Sequence, residues 1–374
     1  MNLLTKDYVE KNIPKLGFGA MRFPTADKAI DIPQVTEMVD HYMANGMNYF
    51  DTAWFYHSGK SETTLHEVLV KRYPRDAFTL VDKLPLWKCE TAADMQNIFN
   101  TQLKRCGVDF FDIYLLHNQE AKHDAMAIEF GAYEYIKELK ASGKAKHIGF
   151  SFHGDAETLE RVLTERPEME CVQLYLNYYD WTLDGKTLYD ICRKHGKQVI
   201  IMGPVRGSGL AQLPQDVTKL LKNANPTASE SSWALRWCAS IDHTDRGIMT
   251  TLSGMSSIAQ LKENVELFKD FKPLTTEEYA VIDKVVDGLK KYPKIGCTDC
   301  KYCICPVDIP IPDIIKEYNN FVSRKSVTKF KNRYEGFEKN GTHCADCGKC
   351  DAACPQGLKV VEQLRYINKL YLEM

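Results

Sequence analysis

The chain holds 374 residues, 44% hydrophobic, 11% aromatic and 26% charged, a composition of folded globular proteins rather than disordered or fibrous ones. Lysines and arginines number 48 against 50 aspartates and glutamates, so a formal charge of −2 leaves no broad basic field for nucleic acid. No 18-residue apolar run suggests a membrane span, and charges interrupt MNLLTKDYVEKNIPK where an export signal needs apolar continuity, which reads as a cytoplasmic protein.

From Lys15 to about Phe271, short apolar runs alternate with longer amphipathic stretches. The pattern predicts strands at 16–21, 48–53, 78–84, 111–117, 147–152, 171–176, 198–204 and 247–254. Between them lie helical patterns such as DIPQVTEMVDHYMANG, with Pro33 suited to a first turn and Gly46 to a C-terminal cap. Eight such units predict an α/β fold, a (β/α)8 TIM barrel. A helix from Ser256 or Ser257, a second from Thr275 to Lys291, and a break at Tyr292-Pro293 follow. The expected domains are 1–292, the barrel, and 293–374, a small cysteine-rich module. That module is expected to hold a helix from Asp313 to about Lys331. The basic residues Arg324, Lys325, Lys329, Lys331 and Arg333 read as a solvated face, with docking of an acidic redox protein as the alternative.

In such barrels chemistry sits at the C-terminal ends of strands. There the chain places Asp51 and Tyr56, Lys83, and His117. Each alone has a bland reading, as a helix cap, a solvent cation or a satisfied core histidine. Together the four resemble the tetrad of the aldo-keto reductases. The surrounding segments KLGFGAMR (15–22), DTAWFYHSGKSE (51–62), GKAKHIGFS (143–151) and SGMSSIAQLKENV (253–265) are similar to that family in the same order. The resemblance covers roughly residues 13–270. It implies NAD(P)H-dependent reduction of a small-molecule carbonyl to an alcohol, or the reverse.

The physical logic of the four groups is independent of the resemblance. Hydride addition to a carbonyl builds charge on oxygen, which needs a proton from a group titrating near working pH. A free phenol at about 10 is too weak an acid. A neighbouring ammonium favours the phenolate, and a carboxylate holds that ammonium charged and oriented. Tyr56 is thus the expected proton donor, Lys83 its tuner, Asp51 the orienter, and His117 a hydrogen-bond donor to the carbonyl oxygen.

No GxGxxG turn follows any strand, which disfavours a Rossmann mode for the dinucleotide. The resemblance implies instead an extended NADP or NAD across the barrel mouth. The matching positions are Ser151, Gln173, the loop with Met202, Gly203, Pro204, Arg206 and Ser208, and the segment with Ser253, Met255, Gln260, Glu263 and Asn264. Where the family pattern has Ser-Asn after the fifth strand, this chain has Ser151-Phe152-His153. Where it has cations for a 2′-phosphate, this chain has Ser253 and Gln260, so NADPH and NADH both stay open.

Of thirteen cysteines, eight lie between 297 and 354. CADCGKCDAACP (344–355) is CxxCxxCxxxCP, the ferredoxin spacing for [4Fe–4S] clusters, with zinc as the alternative. CTDCKYCICP (297–306) is shorter before its fourth cysteine. The swapped arrangement gives Cys297, Cys300, Cys303 and Cys354 to one cluster and Cys305, Cys344, Cys347 and Cys350 to the other. Two clusters are expected, and one is the alternative if the short turn misdirects Cys305. The whole chain resembles aldo-keto reductases with a C-terminal ferredoxin-like domain. Two further functions compete with carbonyl reduction: electron transfer between the clusters and an outside ferredoxin or flavoprotein, and a regulatory nucleotide-binding barrel with structural clusters.

Overall fold

The computed structural model describes residues 4–324 and 326–374. Eight strands run in chain order around a closed barrel: β1 (Leu16–Gly19), β2 (Tyr49–Asp51), β3 (Thr79–Leu84), β4 (Phe111–Gln119), β5 (Ala145–Phe152), β6 (Cys171–Tyr175), β7 (Gln198–Met202) and β8 (Ile248–Ser253). All pairs are parallel, and β8 closes on β1 with Leu16 opposite Thr251. Every one of the eight predicted runs is a barrel strand. The crossovers are helices with local start signals: Asp31 accepts from Gln34 N ahead of Ile32–Ala44, Ser257 from Gln260 N ahead of Ile258–Lys269, and Thr275 forms a capping box with Glu278 before Thr276–Leu289.

Strand residues alternate between two faces, so one buried residue fixes the orientation of those two places away. Tyr49, Val81, Ile113, Leu115, Cys171 and Ile200 share one buried cluster inside the barrel. Advancing two residues on the same face gives Asp51, Lys83, His117, Gln173 and Met202. The candidate polar residues therefore stand one layer above an apolar plug, toward the C-terminal ends of the strands.

The opposite end is closed by an element the sequence reading missed, the helix Lys6–Asn12. Its Val9 joins the same buried cluster, and the Arg246 guanidinium donates to Val9 O (3.2 Å) and Ile13 O (2.9 Å). Only one of its residues is buried apart from the flanking Leu4 and Ile13, so no amphipathic stripe announces it.

Gly149 on β5 lies against β6 so closely that a Cβ there would stand 2.1 Å from Cys171 O. A backbone carbonyl cannot rotate away. Gly149→Ala is expected to destabilise the barrel by about 3 kcal/mol, seen as a lower denaturant midpoint at unchanged slope. An unchanged midpoint would show that β5 and β6 can separate freely.

The chain divides into two compact units, residues up to Pro204 with Leu235–Pro273, and Val205–Ala234 with Leu274–Met374. The first holds all eight strands. The second holds the segment after β7, the helices Gln215–Ala224 and Thr276–Leu289, and the cysteine-rich segment.

The cysteine-rich segment has its own core, including Ile309, Ile314, Ile315, Phe330, Leu364 and Ile367. Its last helix, Val360–Glu373, buries Val360, Val361, Leu364 and Ile367 at helical spacing. The single helix expected from Asp313 to about Lys331 is instead two, Ile311–Arg324 and Val327–Glu335. Ser326, at φ −94° and ψ 94°, is extended and starts the second one. Of the basic run, Arg333 pairs with Glu317 at 3.1 Å and Lys331 lies 6.0 Å over the Tyr371 ring. Lys325 and the Arg324 side chain lie outside the described residues, as do the first three residues of the N-terminal stretch.

Candidate functional site

β2 and β3 are paired through Asp51 opposite Val81, which leaves Lys83 two residues further on the same face. Its ammonium reaches back to Asp51 Oδ1 and Thr52 O, both at 2.7 Å. Both side chains are almost fully buried, at 1% and 2% exposure. Burial pushes the Asp51 carboxyl above its ordinary range, and the Lys83 charge opposes that shift. Above the pair, Lys83 Nζ stands 5.2 Å from the centre of the Tyr56 ring.

Tyr56 opens a short turn, Tyr56–Gly59, in which His57 and Ser58 have positive φ (51° and 56°). That turn is pinned to the loop after β1: His57 Nε2 accepts from Phe23 N at 3.0 Å, and the two rings stack at 5.5 Å. Ser61 Oγ then donates to Ala20 O and bonds Thr52 Oγ1.

His117 is buried on β4 with the Trp87 ring 4.9 Å away. Burial first, then Lys83, His153 and His123, hold its pKa well below the ordinary 6.5, so it is neutral at working pH. A neutral imidazole keeps one N–H for donation to a carbonyl oxygen. The structure thus brings Asp51, Tyr56, Lys83 and His117 to one end of the barrel.

Of the residues expected at a nucleotide, Ser151 and Gln173 are register partners on β5 and β6, both buried. Ser151 Oγ accepts from Asn118 N at 2.8 Å, and among the described residues Gln173 Oε1 meets no hydrogen-bond donor. A buried amide oxygen without a partner is costly, and a ligand N–H is one way to satisfy it. Met202 ends β7, and Gly203 at φ 68° follows it where a Cβ would strike the Tyr175 ring at 2.1 Å. Ser253 ends β8 and accepts from Asn264 Nδ2 at 3.0 Å. Met255 is buried, whereas Gln260 and Glu263 are exposed, and Gln260 Oε1 is taken by Ser256 N. Arg206 and Ser208 belong to the other compact unit.

Asn118 directly follows His117 on β4. It is buried at φ 61°, and among the described residues its Oδ1 meets no donor beside the Ser151 contact. His123 was missed altogether. It bonds Asn118 O at 2.7 Å and lies 5.2 Å from Trp87, and neither its spacing nor its neighbours mark it in sequence.

The eight clustered cysteines line two cavities. Cys297, Cys300, Cys303 and Cys354 line one, with Ile311, Ile315, Leu358 and Val360 among its walls. Cys305, Cys344, Cys347 and Cys350 line the other, with Ile309, Ile311, Val361 and Leu364. Both cavities are small and partly open to solvent. Among the described residues, no three Cys, His, Asp or Glu side chains are gathered as a ligand set for a single metal ion.

The two cysteine loops share a backbone course. In the first, Asp299 and Lys301, which flank the second cysteine, have φ of 54° and 63°; in the second, Asp346 and Gly348 have 52° and 69°. After each Cys-Pro the turn repeats: Asp308 N donates to Cys305 O and Gly357 N to Cys354 O, both at 3.1 Å, and both residues have φ 60°. The shortened CxC therefore leaves the loop before it and the turn after it unchanged. Backbone N–H groups face the sulfurs, as with Asp299 N at 3.5 Å from Cys297 Sγ. Burial pushes the Cys297 thiol up to about 11 and Cys303 up to about 12.

A model of the aldo/keto reductase family matches residues 15–287. The chain is 25% identical over 299 residues to methylglyoxal reductase DkgA of Yersinia pestis, covering 78% of this chain and 96% of that protein. It is 27% identical over 233 residues to an NADPH-dependent alpha-keto amide reductase of Saccharomyces cerevisiae, covering 59% and 69%. Among solved structures, aldo-keto reductase AKR11C1 from Bacillus halodurans matches with a TM-score of 0.59 at 26% identity, covering 73% of this chain and 92% of that one. The chain belongs to the aldo/keto reductase family, and it is an oxidoreductase. The family match ends before the first of the clustered cysteines.

Proposed function

We propose that this protein is an NAD(P)H-dependent carbonyl reductase, working on an aldehyde or ketone or on the corresponding alcohol in reverse, with residues 293–374 as a module for two [4Fe–4S] clusters. The observation that carries the catalytic part is the buried Lys83–Asp51 pair beneath the Tyr56 ring, with neutral His117 at the same barrel end. A nicotinamide, when bound, supplies or accepts the hydride. Tyr56 holds the proton at its phenol oxygen and releases it to the carbonyl oxygen. Lys83 lowers the cost of the phenolate that remains, Asp51 holds the Lys83 ammonium in place, and His117 orients the carbonyl by its N–H. The reductase names of two relatives, one acting on methylglyoxal and one on alpha-keto amides, favour a small carbonyl compound as substrate.

The nucleotide fits the donors present. In the barrel unit Gln173 Oε1 and Ser151 are buried side by side for a carboxamide, and the family resemblance assigns Arg206 and Ser208 to a pyrophosphate. Ser253, Met255, Gln260, Glu263 and Asn264 are assigned to the adenosine end. None of these is a cation that would grip a 2′-phosphate.

The clusters fit the two cysteine-lined cavities. Four thiolates on one zinc at about 2.3 Å stand only about 3.8 Å apart, whereas a cubane spreads its four thiolates over separate corners of a larger body. Two matching loops, backbone donors aimed at sulfur and apolar walls support that larger occupant. A relay of electrons to an outside redox protein is the second reading, favoured by Cys303 and Cys305, which belong to different quartets with one residue between them.

Protein purified without oxygen is expected to carry about eight irons and eight sulfides per chain, no flavin, and NAD(P)H-dependent reductase activity on small aldehydes and ketones. About four irons would remove Cys305 from the ligand set, and none would overturn the cluster assignment. Bound flavin would bring the relay forward.

A further inference from the structure

The Val205–Gly209 loop and the first cysteine loop lie in the same compact unit and meet backbone to backbone. A Cβ on Gly207 would stand 3.2 Å from Thr298 Cα and 3.3 Å from Thr298 O, and Gly207 has φ 70°. A Cβ on Gly296 would stand 3.3 Å from Arg206 Nη2. The contact continues outward: Lys294 Nζ donates to Gln212 O at 3.2 Å, and Tyr292 OH to Asp216 Oδ1 at 2.8 Å. The chain after β7 thus runs beside the chain that leads into the first cysteines, and the closest approach is next to Cys297.

The cysteine side of this contact is tied down at Ile295. Asn319 clamps Ile295 by donating to its carbonyl and accepting from its N–H, both at 2.9 Å. Beyond that clamp, Thr298 lies between two thiols of the first cavity, on a loop with two residues at positive φ. A group bonded to Cys297, Cys300, Cys303 and Cys354 would fix that loop to a chain segment some fifty residues later. The nucleotide side has Arg206 at φ 51° beside Gly207, a backbone that is costly to order by itself.

We propose that Gly296–Thr298 is the seat of the nucleotide loop, so that filling the Cys297, Cys300, Cys303 and Cys354 quartet sets the enzyme's affinity for its nucleotide. This rests on the function proposed above, in which Arg206 and Ser208 hold the pyrophosphate. A loop ordered in advance binds with less entropy still to lose, and a loop competent a tenth of the time binds about tenfold more weakly. The second quartet has no such role, because its cavity is lined by none of residues 296–303. Iron supply would thereby be read as nucleotide affinity.

Three variants test this in the full chain, each assayed without oxygen for iron per chain and for the dissociation constant of NADPH and of NADH by tryptophan fluorescence. Cys354→Ala removes a ligand of the first quartet at a position remote in sequence from the loop. It is expected to lose about four irons and to weaken nucleotide binding roughly tenfold. Cys347→Ala is expected to lose a similar amount of iron with the dissociation constant within about twofold of wild type. Gly207→Ala, which pushes the loop off Thr298, is expected to keep all its iron and still bind more weakly. If Cys354→Ala is too unstable to isolate, partial iron removal by a chelator from the wild-type protein, followed by hydrogen exchange over 203–209, gives the same comparison. Iron loss in Cys354→Ala with unchanged affinity overturns this inference and leaves the cluster assignment standing. A wild-type protein without iron, or without affinity for either nucleotide, overturns the underlying function instead.

Discussion

Tyr56→Phe is expected to lower kcat for carbonyl reduction by about 10²–10⁴-fold, the range for loss of a positioned proton donor. The variant keeps the ring, so the 5.2 Å stacking with Lys83 and the turn pinned by His57 and Phe23 survive. Only the hydroxyl that holds the transferable proton is gone. Nucleotide affinity, iron content and thermal midpoint are therefore expected to match wild type. That combination distinguishes loss of chemistry from loss of structure, because a merely structural tyrosine would shift the midpoint as well. Activity within about threefold of wild type would be too small a loss for general-acid catalysis and would remove Tyr56 from the role.

Which parts of this architecture can be read without coordinates follows from how local their causes are. The eight strands are legible because each is a short apolar run bounded by turn residues, and strand alternation then places Asp51, Lys83 and His117 on the inner face. The three closely spaced cysteines of each group are legible because their spacing is local, whereas the exchange of Cys354 and Cys305 between the groups follows from the ferredoxin pattern. The helix Lys6–Asn12 was not, since its burial depends on Arg246, more than two hundred residues away. The break at Ser326 was not, because amphipathic spacing continues across it. Least visible was the grouping of Val205–Ala234 with Leu274–Met374. It arises from close backbone contacts such as Gly207 on Thr298, where glycine is chosen for absent volume and carries no signal of what it touches.

Lys83→Met is expected to cost stability by an amount that depends on pH in a diagnostic way. It leaves Asp51 at 2% exposure without the ammonium 2.7 Å away, and breaking a buried pair from one side costs about 3–5 kcal/mol. The Asp51 pKa, already raised by burial, then rises further because the opposing charge is gone. A carboxyl whose folded pKa exceeds its unfolded one contributes fully below the unfolded value and loses that contribution as pH rises through the folded value. The deficit relative to wild type is thus small in acid and large at pH 8. His117 acts in the same direction, since Lys83 is one cause of its lowered pKa and removal of Lys83 lets it take up a proton more readily in acid. Wild type itself loses stability as pH falls below about 6.5, because unfolding frees His117, His123 and His153 to bind protons that the fold disfavours, His153 being held down at about 4. His123 and His153 are common to both proteins, so they leave the difference unaffected. Denaturant midpoints of wild type, Lys83→Met and the double variant Asp51→Asn with Lys83→Met at pH 5 and pH 8 separate these terms. The double variant, with no buried charge left at either position, is expected to recover most of the lost stability at pH 8 while staying inactive. A single-variant deficit that is equal at the two pH values would mean that Asp51 is not carrying its charge in the wild-type fold, and Lys83 would then be held by its hydrogen bonds to Asp51 and Thr52 O without an ion pair.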